Sequence, residues 1–171
     1  MNLEYKNLVP ASFSDDSRVW IFQSGRLLTM AEAVQMEGHL ENFVNSWSSH
    51  GEKVKGFATL FFGRFIVLMA DESETGVSGC STDSSVRLIK DIERILNIQL
   101  FDRNLLAFVV TDKVEILPFS QLQYAVQNGF INAGTLYFNN LVATKKDLFN
   151  NWIVPVKDSW LANRLPALKV A

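Results

Sequence analysis

Residues 53–71 read KVKGFATLFFGRFIVLMAD, and this stretch decides the fold. Two runs of aromatic, aliphatic and β-branched residues lie on either side of Gly63-Arg64. Such runs, separated by a short break that contains glycine, are typical of a β-hairpin. The second run is apolar almost without interruption, which predicts a strand buried at the centre of a sheet.

Further strands and helices are predicted on both sides of this hairpin. RVWIFQS at 18–24 indicates a strand, and TMAE at 29–32 fits a capping box at the start of a helix. Residues 81–98 place apolar side chains at helical spacing, and residues 105–112 and 113–119 indicate two more strands. The order β-α-β-β-α-β predicts an α+β fold with a ferredoxin-like core, in which an antiparallel sheet has the strand order 4-1-3-2.

The chain is predicted to be a single domain with an arm at its start and an extension at its end. Proline and a cluster of Ser and Asp indicate an N-terminal arm at residues 1–17, before an α+β core at 18–129. Residues 130–171 are predicted to add a strand, a helix and a C-terminal extension that packs on the core. Trp152 and Trp160 favour this folding back; the alternative is a homodimer, because tryptophan is enriched in interfaces.

Composition limits the classes of function. Of the 171 residues 48% are hydrophobic and the formal charge is −2, so we expect a globular protein with no general attraction to nucleic acid or to a membrane. One cysteine and two histidines argue against a disulfide framework and a structural zinc site, and we expect no metal and no cofactor. The absence of a signal-peptide pattern and of a long apolar span predicts a cytoplasmic location.

The single cysteine lies in SGCSTDSS, residues 78–85, where a helix is predicted to start. In the predicted topology the end of the buried strand, the start of this helix and His50 lie at one edge of the sheet. A helix N-terminus stabilises a thiolate, a histidine can serve as its base, and an acid can orient the histidine. Cys80 with His50 and either Asp71 or Glu72 is therefore a candidate catalytic set.

The same stretch has two other interpretations. Glycine and small hydroxylic residues at a helix start expose backbone N–H groups that bind anions, which makes Gly79, Cys80, Ser81 and Asp83, with His50, candidate ligand-binding residues. Asp83 argues against phosphate, because it already supplies negative charge or caps the helix. The simplest interpretation is a Ser/Thr/Asp helix cap above a buried cysteine.

Arginine residues are predicted to meet at the opposite edge of the sheet. These residues are Arg26, Arg64 and Arg103, and Trp20 and Phe22 lie on the neighbouring strand. This combination raises the hypothesis of single-stranded nucleic-acid binding by base stacking. However, RVWIFQS lacks the alternation of basic and aromatic residues found in RNA-recognition motifs, and the net charge is negative. No nucleic-acid partner is therefore expected.

Four stretches carry a family resemblance: RFIVLMADESETGVSGCSTDSSV at 64–86, LFDR at 100–103, FNNLVATK at 138–145 and KDSW at 157–160. Over residues 17–162 the chain resembles a family of small proteins of Bacteroidetes-type bacteria that often carry the label "ABC transporter ATPase". That label implies a P-loop, but no G-x-x-x-x-G-K-[ST] motif is present, so no P-loop ATPase activity is expected. The resemblance implies a cytoplasmic single-domain protein, and it implies no particular reaction or site.

The sequence thus favours a binding or interaction module over an enzyme. A polar pocket near residues 71–84 is expected to recognise a small anionic molecule or a protein partner, because the stretch lacks a complete catalytic motif. The alternative is a thiol-dependent enzyme that uses Cys80 with His50 and Asp71 or Glu72.

Overall fold

The computed structural model describes residues 1–49, 51–71, 73 and 79–164, and of residues 79–81 it describes the backbone alone. These residues form two compact units. The N-terminal unit contains residues 4–101 and 142–149, and the C-terminal unit contains residues 1–3, 102–141 and 150–164. Helices are combined with antiparallel strands, which confirms the predicted α+β class.

Thirteen helices and strands are described, together with short 3-10 turns. In chain order they are β1 (Arg18–Gln23), α1 (Met30–Ser46), β2 (Ser48–Ser49), β3 (Glu52–Lys53), β4 (Lys55–Phe61), β5 (Phe65–Asp71), α2 (Gly79–Leu96), β6 (Leu105–Val110), β7 (Lys113–Pro118), α3 (Leu122–Gln127), β8 (Leu136–Phe138), α4 (Lys145–Asn151) and β9 (Ile153–Pro155). The predicted hairpin is present as β4 and β5, and the predicted strand at 136–138 coincides with β8.

A three-stranded antiparallel sheet of order β1-β5-β4 forms the centre of the N-terminal unit. Every residue of β5 is buried, as its apolar sequence predicts. The hairpin reverses at Phe62 and Gly63, whose φ angles are 54° and 62°. Glycine adopts such a left-handed conformation without steric cost, and this is why the chain turns at Gly63.

Helices α1 and α2 cover one face of this sheet. Thr29 and Glu32 form the predicted capping box, and α1 then buries Met36 and Leu40 against the core. Helix α2 buries its own apolar residues in the same cluster and ends before Asn97, which has a φ of 47°. Fully burying one such aliphatic side chain stabilises the fold by about 1.5–3 kcal/mol.

The N-terminal arm lies against the other face of the sheet. The ring of Tyr5 packs on Phe61 at a centroid distance of 5.7 Å, and Phe13 packs on Phe57 at 6.4 Å. The Tyr5 hydroxyl donates a hydrogen bond to the carbonyl of Leu148 at 2.6 Å, and burial raises the pKa of this phenol to about 12. The arm is therefore part of the packed structure of the unit.

The partner at the second edge of β1 differs from the predicted topology. The order β1-β5-β4 matches the first three strands of the ferredoxin-like arrangement, but the fourth strand, β6, pairs with β7 and β8 instead of β1. The returning segment takes that place, because the N–H of Val19 donates to the carbonyl of Ala143 at 2.9 Å and Arg18 bridges to Thr144. The ferredoxin-like core is therefore not confirmed.

The returning segment is held by a buried lysine. The Nζ of Lys145 donates to the carbonyl oxygens of Phe13 at 2.6 Å and Ala11 at 3.3 Å. The backbone N–H of Lys145 donates to the carbonyl of Ser17 at 2.9 Å. One residue thus connects the returning segment to the arm and to the start of β1.

The C-terminal unit is built on a four-stranded antiparallel sheet of order β7-β6-β8-β9. Its β6-β7 hairpin turns at Thr111 and Asp112, whose positive φ angles of 48° and 60° indicate a type I′ turn. The Trp160 indole N–H donates to the Tyr137 hydroxyl at 3.2 Å. Strands β6 and β7 were predicted to belong to the core at 18–129, but they group here with residues after 130. That the whole chain is a single domain stays a prediction.

Candidate functional site

Part of the predicted catalytic and anion-binding set cannot be compared with the structure. His50 and Glu72 lie outside the described residues. The backbone of Gly79, Cys80 and Ser81 forms the first turn of α2, and their side chains are not described. The arrangement of Cys80, His50 and an acid therefore stays a prediction.

Asp83 lies inside helix α2. The helix begins at Gly79, two residues earlier than its predicted start, so Asp83 is in the second turn and does not cap the helix. Its side chain is exposed. In the same turn the buried Ser85 donates a hydrogen bond to the carbonyl of Thr82 at 2.7 Å.

Asp71 is buried at the end of β5 and connects that strand to the arm. Its Oδ2 accepts hydrogen bonds from the Nζ of Lys55 at 2.7 Å and from the N–H of Ser14 at 3.3 Å, and its Oδ1 accepts one from the N–H of Ser73 at 3.1 Å. Lys55 also donates to the carbonyl of Ser12 at 2.9 Å. These contacts give Asp71 a structural role that requires no ligand.

The pKa of Asp71 agrees with this role. Burial alone would raise it, but the hydrogen bonds from Lys55, Ser73 and Ser14 outweigh burial and hold the pKa well below the usual range of an aspartate. The side chain is 1% exposed, whereas that of Lys55 is 38% exposed. The carboxylate therefore stays charged at neutral pH and is held by fixed donors.

A groove between α1 and α2, here called the helix groove, combines polar and aromatic side chains. Its volume is about 380 Å³. The α1 side and the residues after it contribute His39, Asn42, Phe43, Ser46, Trp47 and Ser48, and α2 contributes Ser84, Arg87, Leu88 and Asp91. The members that belong to α1 and α2 recur at intervals of three and four residues, so they lie on one face of each helix, and Trp47 and Ser48 follow the end of α1.

The floor of the helix groove is a fixed aromatic cluster. Trp47 is 2% exposed, and its ring lies 4.8 Å from that of Phe43 and 6.1 Å from that of Trp20. Gly56 of β4 approaches so closely that a Cβ there would lie 2.6 Å from Cε3 of Trp47. The ring of Trp47 is thus enclosed by Phe43, Trp20 and Gly56, and it forms a fixed floor of the groove.

The charges around the helix groove favour an anion. The Asp91 carboxylate accepts a hydrogen bond from Arg94 at 2.8 Å, which offsets its negative charge. Arg87 is exposed, and within the described part of the chain no carboxylate pairs with it. Arg87 and His39 thus line a groove in which Asp91, the one carboxylate among the described lining residues, already has a cation.

Sequence reasoning missed Arg87, Phe43 and Trp47 as candidate site residues. The signal was present, because Phe43 of α1 and Trp47, which follows the helix, are four apart, and Ser84 and Arg87 are three apart in α2. Such spacings are also those of an ordinary amphipathic helix. They indicate a site only once the two faces are known to oppose each other.

The predicted arginine edge is partly occupied by internal contacts. Arg26 donates to both carboxylate oxygens of Glu32, at 2.6 Å and 2.8 Å, and to the carbonyl of Leu96 at 3.2 Å. The hydrogen bonds from Arg26 and Thr29 lower the pKa of Glu32 to about 2. Trp20 packs against the core. These contacts involve Arg26 and Trp20, and the absence of a nucleic-acid partner stays a prediction.

Metal ligands, membrane-spanning helices and similarity to known proteins each bear on function. Among the described residues no group of three or more His, Cys, Asp or Glu side chains is arranged to hold a metal ion. In the same part of the chain, no helix combines the length and the apolar character needed to cross a membrane. No protein-family model, curated protein or solved structure matches the chain. The geometry of the helix groove is therefore the basis for a functional proposal.

Proposed function

We propose that the protein is a binding module that takes a small organic anion in the helix groove. The observation that carries this proposal is that Arg87, without a carboxylate partner among the described residues, lines the same groove as the fixed ring of Trp47. A ligand with an acidic group and a flat apolar part would satisfy both sides of the groove. A volume of about 380 Å³ suits a small ligand.

Each part of such a ligand has a counterpart in the groove. A carboxylate or phosphate can accept two parallel hydrogen bonds from the planar guanidinium of Arg87, a geometry that lysine cannot offer. An aromatic or aliphatic part can pack on the partly exposed side chains of Phe43 and Leu88, above the buried ring of Trp47. A fixed floor lowers the entropic cost of binding, because little has to be ordered when the ligand arrives.

We favour binding over catalysis because the carboxylate of Asp71 is occupied by hydrogen bonds within the protein. It is the one acid of the predicted catalytic set that the structure describes, and its oxygens accept hydrogen bonds from Lys55, Ser14 and Ser73. The thiol-dependent enzyme remains the alternative hypothesis. Iodoacetamide labelling of the native protein tests it: rapid alkylation of Cys80 near neutral pH would favour the enzyme, and labelling only after unfolding would exclude it.

Benzoate and benzamide are suitable probes for the proposed site. They share a ring and differ in charge, so benzoate should bind and benzamide should bind at least about tenfold more weakly if Arg87 holds the acid. Two-dimensional NMR titration at millimolar ligand should shift the amide signals of α1 and α2 and the indole signal of Trp47. Equal binding of the two probes, or shifts confined to other regions, would contradict the proposal.

Two substitutions on α2 separate a specific contact from general charge. Arg87→Gln should weaken benzoate binding about tenfold, because a charged hydrogen bond is lost. Lys90→Gln removes the same charge from an exposed position of the same helix outside the groove, and it should change the affinity less than about twofold. If both variants weaken binding equally, the helix groove is not the site.

The proposal also includes a cytoplasmic location and no nucleic-acid partner, both as expected from the sequence. Self-association through the C-terminal segment remains a prediction. Sedimentation equilibrium with Trp160→Ala as the variant would test it.

A further inference from the structure

Strand β4 forms one edge of the sheet in the N-terminal unit. In the order β1-β5-β4 it pairs with β5 on one side. Within the described residues no strand pairs with its other side, and residues 55–60 are all partly exposed. The outer edge of β4 therefore presents backbone N–H and C=O groups that can accept another strand.

The sequence of β4 lacks the features that usually block such pairing. Residues 56–61 read GFATLF and contain neither a charged residue nor proline. The one charged residue of the strand is Lys55, whose Nζ donates hydrogen bonds to Asp71 at 2.7 Å and to the carbonyl of Ser12. Natural edge strands usually carry charges, proline or bulges that prevent pairing with other chains. An edge without them is suited to recruiting a strand.

A second groove runs beside this edge, between β4 and helix α1; we call it the strand groove. Its volume is about 350 Å³. Leu40 and Val44 of α1 provide apolar walls, and Glu37 and Glu41 stand exposed on the same side. In the described part of the chain no cation pairs with either carboxylate. The groove is thus acidic along one rim and open to the strand edge.

We infer that the outer edge of β4 and the strand groove form a docking site for an extended, basic segment of a partner protein. Such a segment would add to the sheet as a strand through main-chain hydrogen bonds and place alternate side chains over the groove. Residues two apart on a strand are about 6.6–6.8 Å apart. Glu37 and Glu41 are separated by about 6 Å along the helix axis. Lys or Arg at every second position would therefore match both carboxylates.

Charge favours this partner over a second copy of the same chain. Two copies that paired antiparallel through β4 would bring two α1 helices to the same face of one continuous sheet. Glu37 and Glu41 of each copy would then face those of the other, and like charges at close range are repulsive. A basic segment meets the same carboxylates with favourable charge.

Fluorescence anisotropy with synthetic peptides tests the inference. The probe is a fluorescein-labelled peptide of alternating Lys and Val; a Glu and Val peptide is its charge control, and a Lys and Val peptide with N-methylated alternate amides is its backbone control. The basic peptide should bind, with NMR shifts at residues 55–61. The acidic peptide and the N-methylated peptide should each bind at least about tenfold more weakly, because each lacks one of the two required interactions.

A double variant connects binding to the two glutamates. Glu37→Gln with Glu41→Gln should weaken the basic peptide about three- to tenfold at low salt. Glu52→Gln with Glu115→Gln changes two exposed charges elsewhere and should leave the affinity within about twofold. Equal effects of the two pairs, or equal binding of the N-methylated peptide, would overturn the inference. So would a dimer in sedimentation equilibrium that becomes tighter when Glu37 and Glu41 are neutralised, since that result would assign the edge to a second copy.

Discussion

Replacing Gly56 with alanine should destabilise the protein, although alanine is the better strand residue. A Cβ at position 56 would lie 2.6 Å from Cε3 and 3.1 Å from Cζ3 of Trp47. Carbon atoms pack at about 3.5–4.0 Å, so the ring or the strand would have to move by about 1 Å. Trp47 cannot move freely, because Phe43 and Trp20 pack on its ring and it is 2% exposed.

The expected magnitude is the difference of two effects. Overpacking of this size in a well-packed core costs about 1–3 kcal/mol. Replacing a strand glycine with alanine returns about 0.5–1 kcal/mol, because the unfolded chain loses conformational freedom. Gly56→Ala should therefore lower the free energy of unfolding by about 1 kcal/mol at the midpoints of these ranges, and by about 2.5 kcal/mol at most.

Gly38→Ala is the matched control. Gly38 lies inside α1, and nothing is found within 4 Å of the position its Cβ would take. This substitution should raise the free energy of unfolding by about 0.5–1 kcal/mol. Urea denaturation followed by far-ultraviolet circular dichroism measures both values, and near-ultraviolet circular dichroism reports on the packing of the tryptophan rings.

A lower free energy of unfolding for Gly56→Ala together with a higher one for Gly38→Ala would support the described contact. A Gly56→Ala protein as stable as the parent, with an unchanged near-ultraviolet spectrum, would refute the close approach of Gly56 and Trp47. Because Trp47 is the floor of the helix groove, Gly56→Ala should also weaken benzoate binding, and Gly38→Ala should not.

Three further substitutions test the contacts that hold the N-terminal unit together. Asp71→Asn should lower the free energy of unfolding at pH 7 by about 1–3 kcal/mol. Since folding lowers the pKa of Asp71, the stabilisation by its carboxylate is complete above about pH 4 and is lost in more acidic solution. The urea midpoints of variant and parent should therefore converge at acidic pH. Lys145→Ala should cost about 2 kcal/mol, because the buried carbonyl of Phe13 and the partly buried carbonyl of Ala11 lose a charged donor, and limited proteolysis should cut residues 1–17 faster. Thr29→Ala should cost about 1 kcal/mol in thermal unfolding, and Thr29→Ser should recover most of it.

The local elements of the fold could be predicted because each has its own signal in the sequence. Thr29 and Glu32 marked the start of α1, and Gly63 marked the turn of the hairpin. The partner of β1 had no such signal. The segment around Ala143 that pairs with its edge lies more than a hundred positions away in the chain, so this choice depends on packing between distant residues.

The candidate site was harder to predict than the fold. Sequence reasoning gave weight to Cys80 because thiol chemistry is easy to recognise, whereas Arg87 and Trp47 have unremarkable neighbours in the chain. Their importance comes from two helix faces that lie opposite each other in space. A helix pattern indicates which residues share a face, but it does not indicate which other helix that face will meet.

The return of residues 142–149 to the N-terminal unit has a consequence for protein synthesis. Residues 4–101 leave the ribosome well before the segment that covers the edge of β1 and holds the arm through Lys145. During translation the N-terminal unit cannot complete its packing until that segment is synthesised, and until then the edge of β1 is available to chaperones. A fragment that stops at residue 101 would lack it permanently, whereas a fusion that appends residues 142–149 after residue 101 through a flexible linker would supply it.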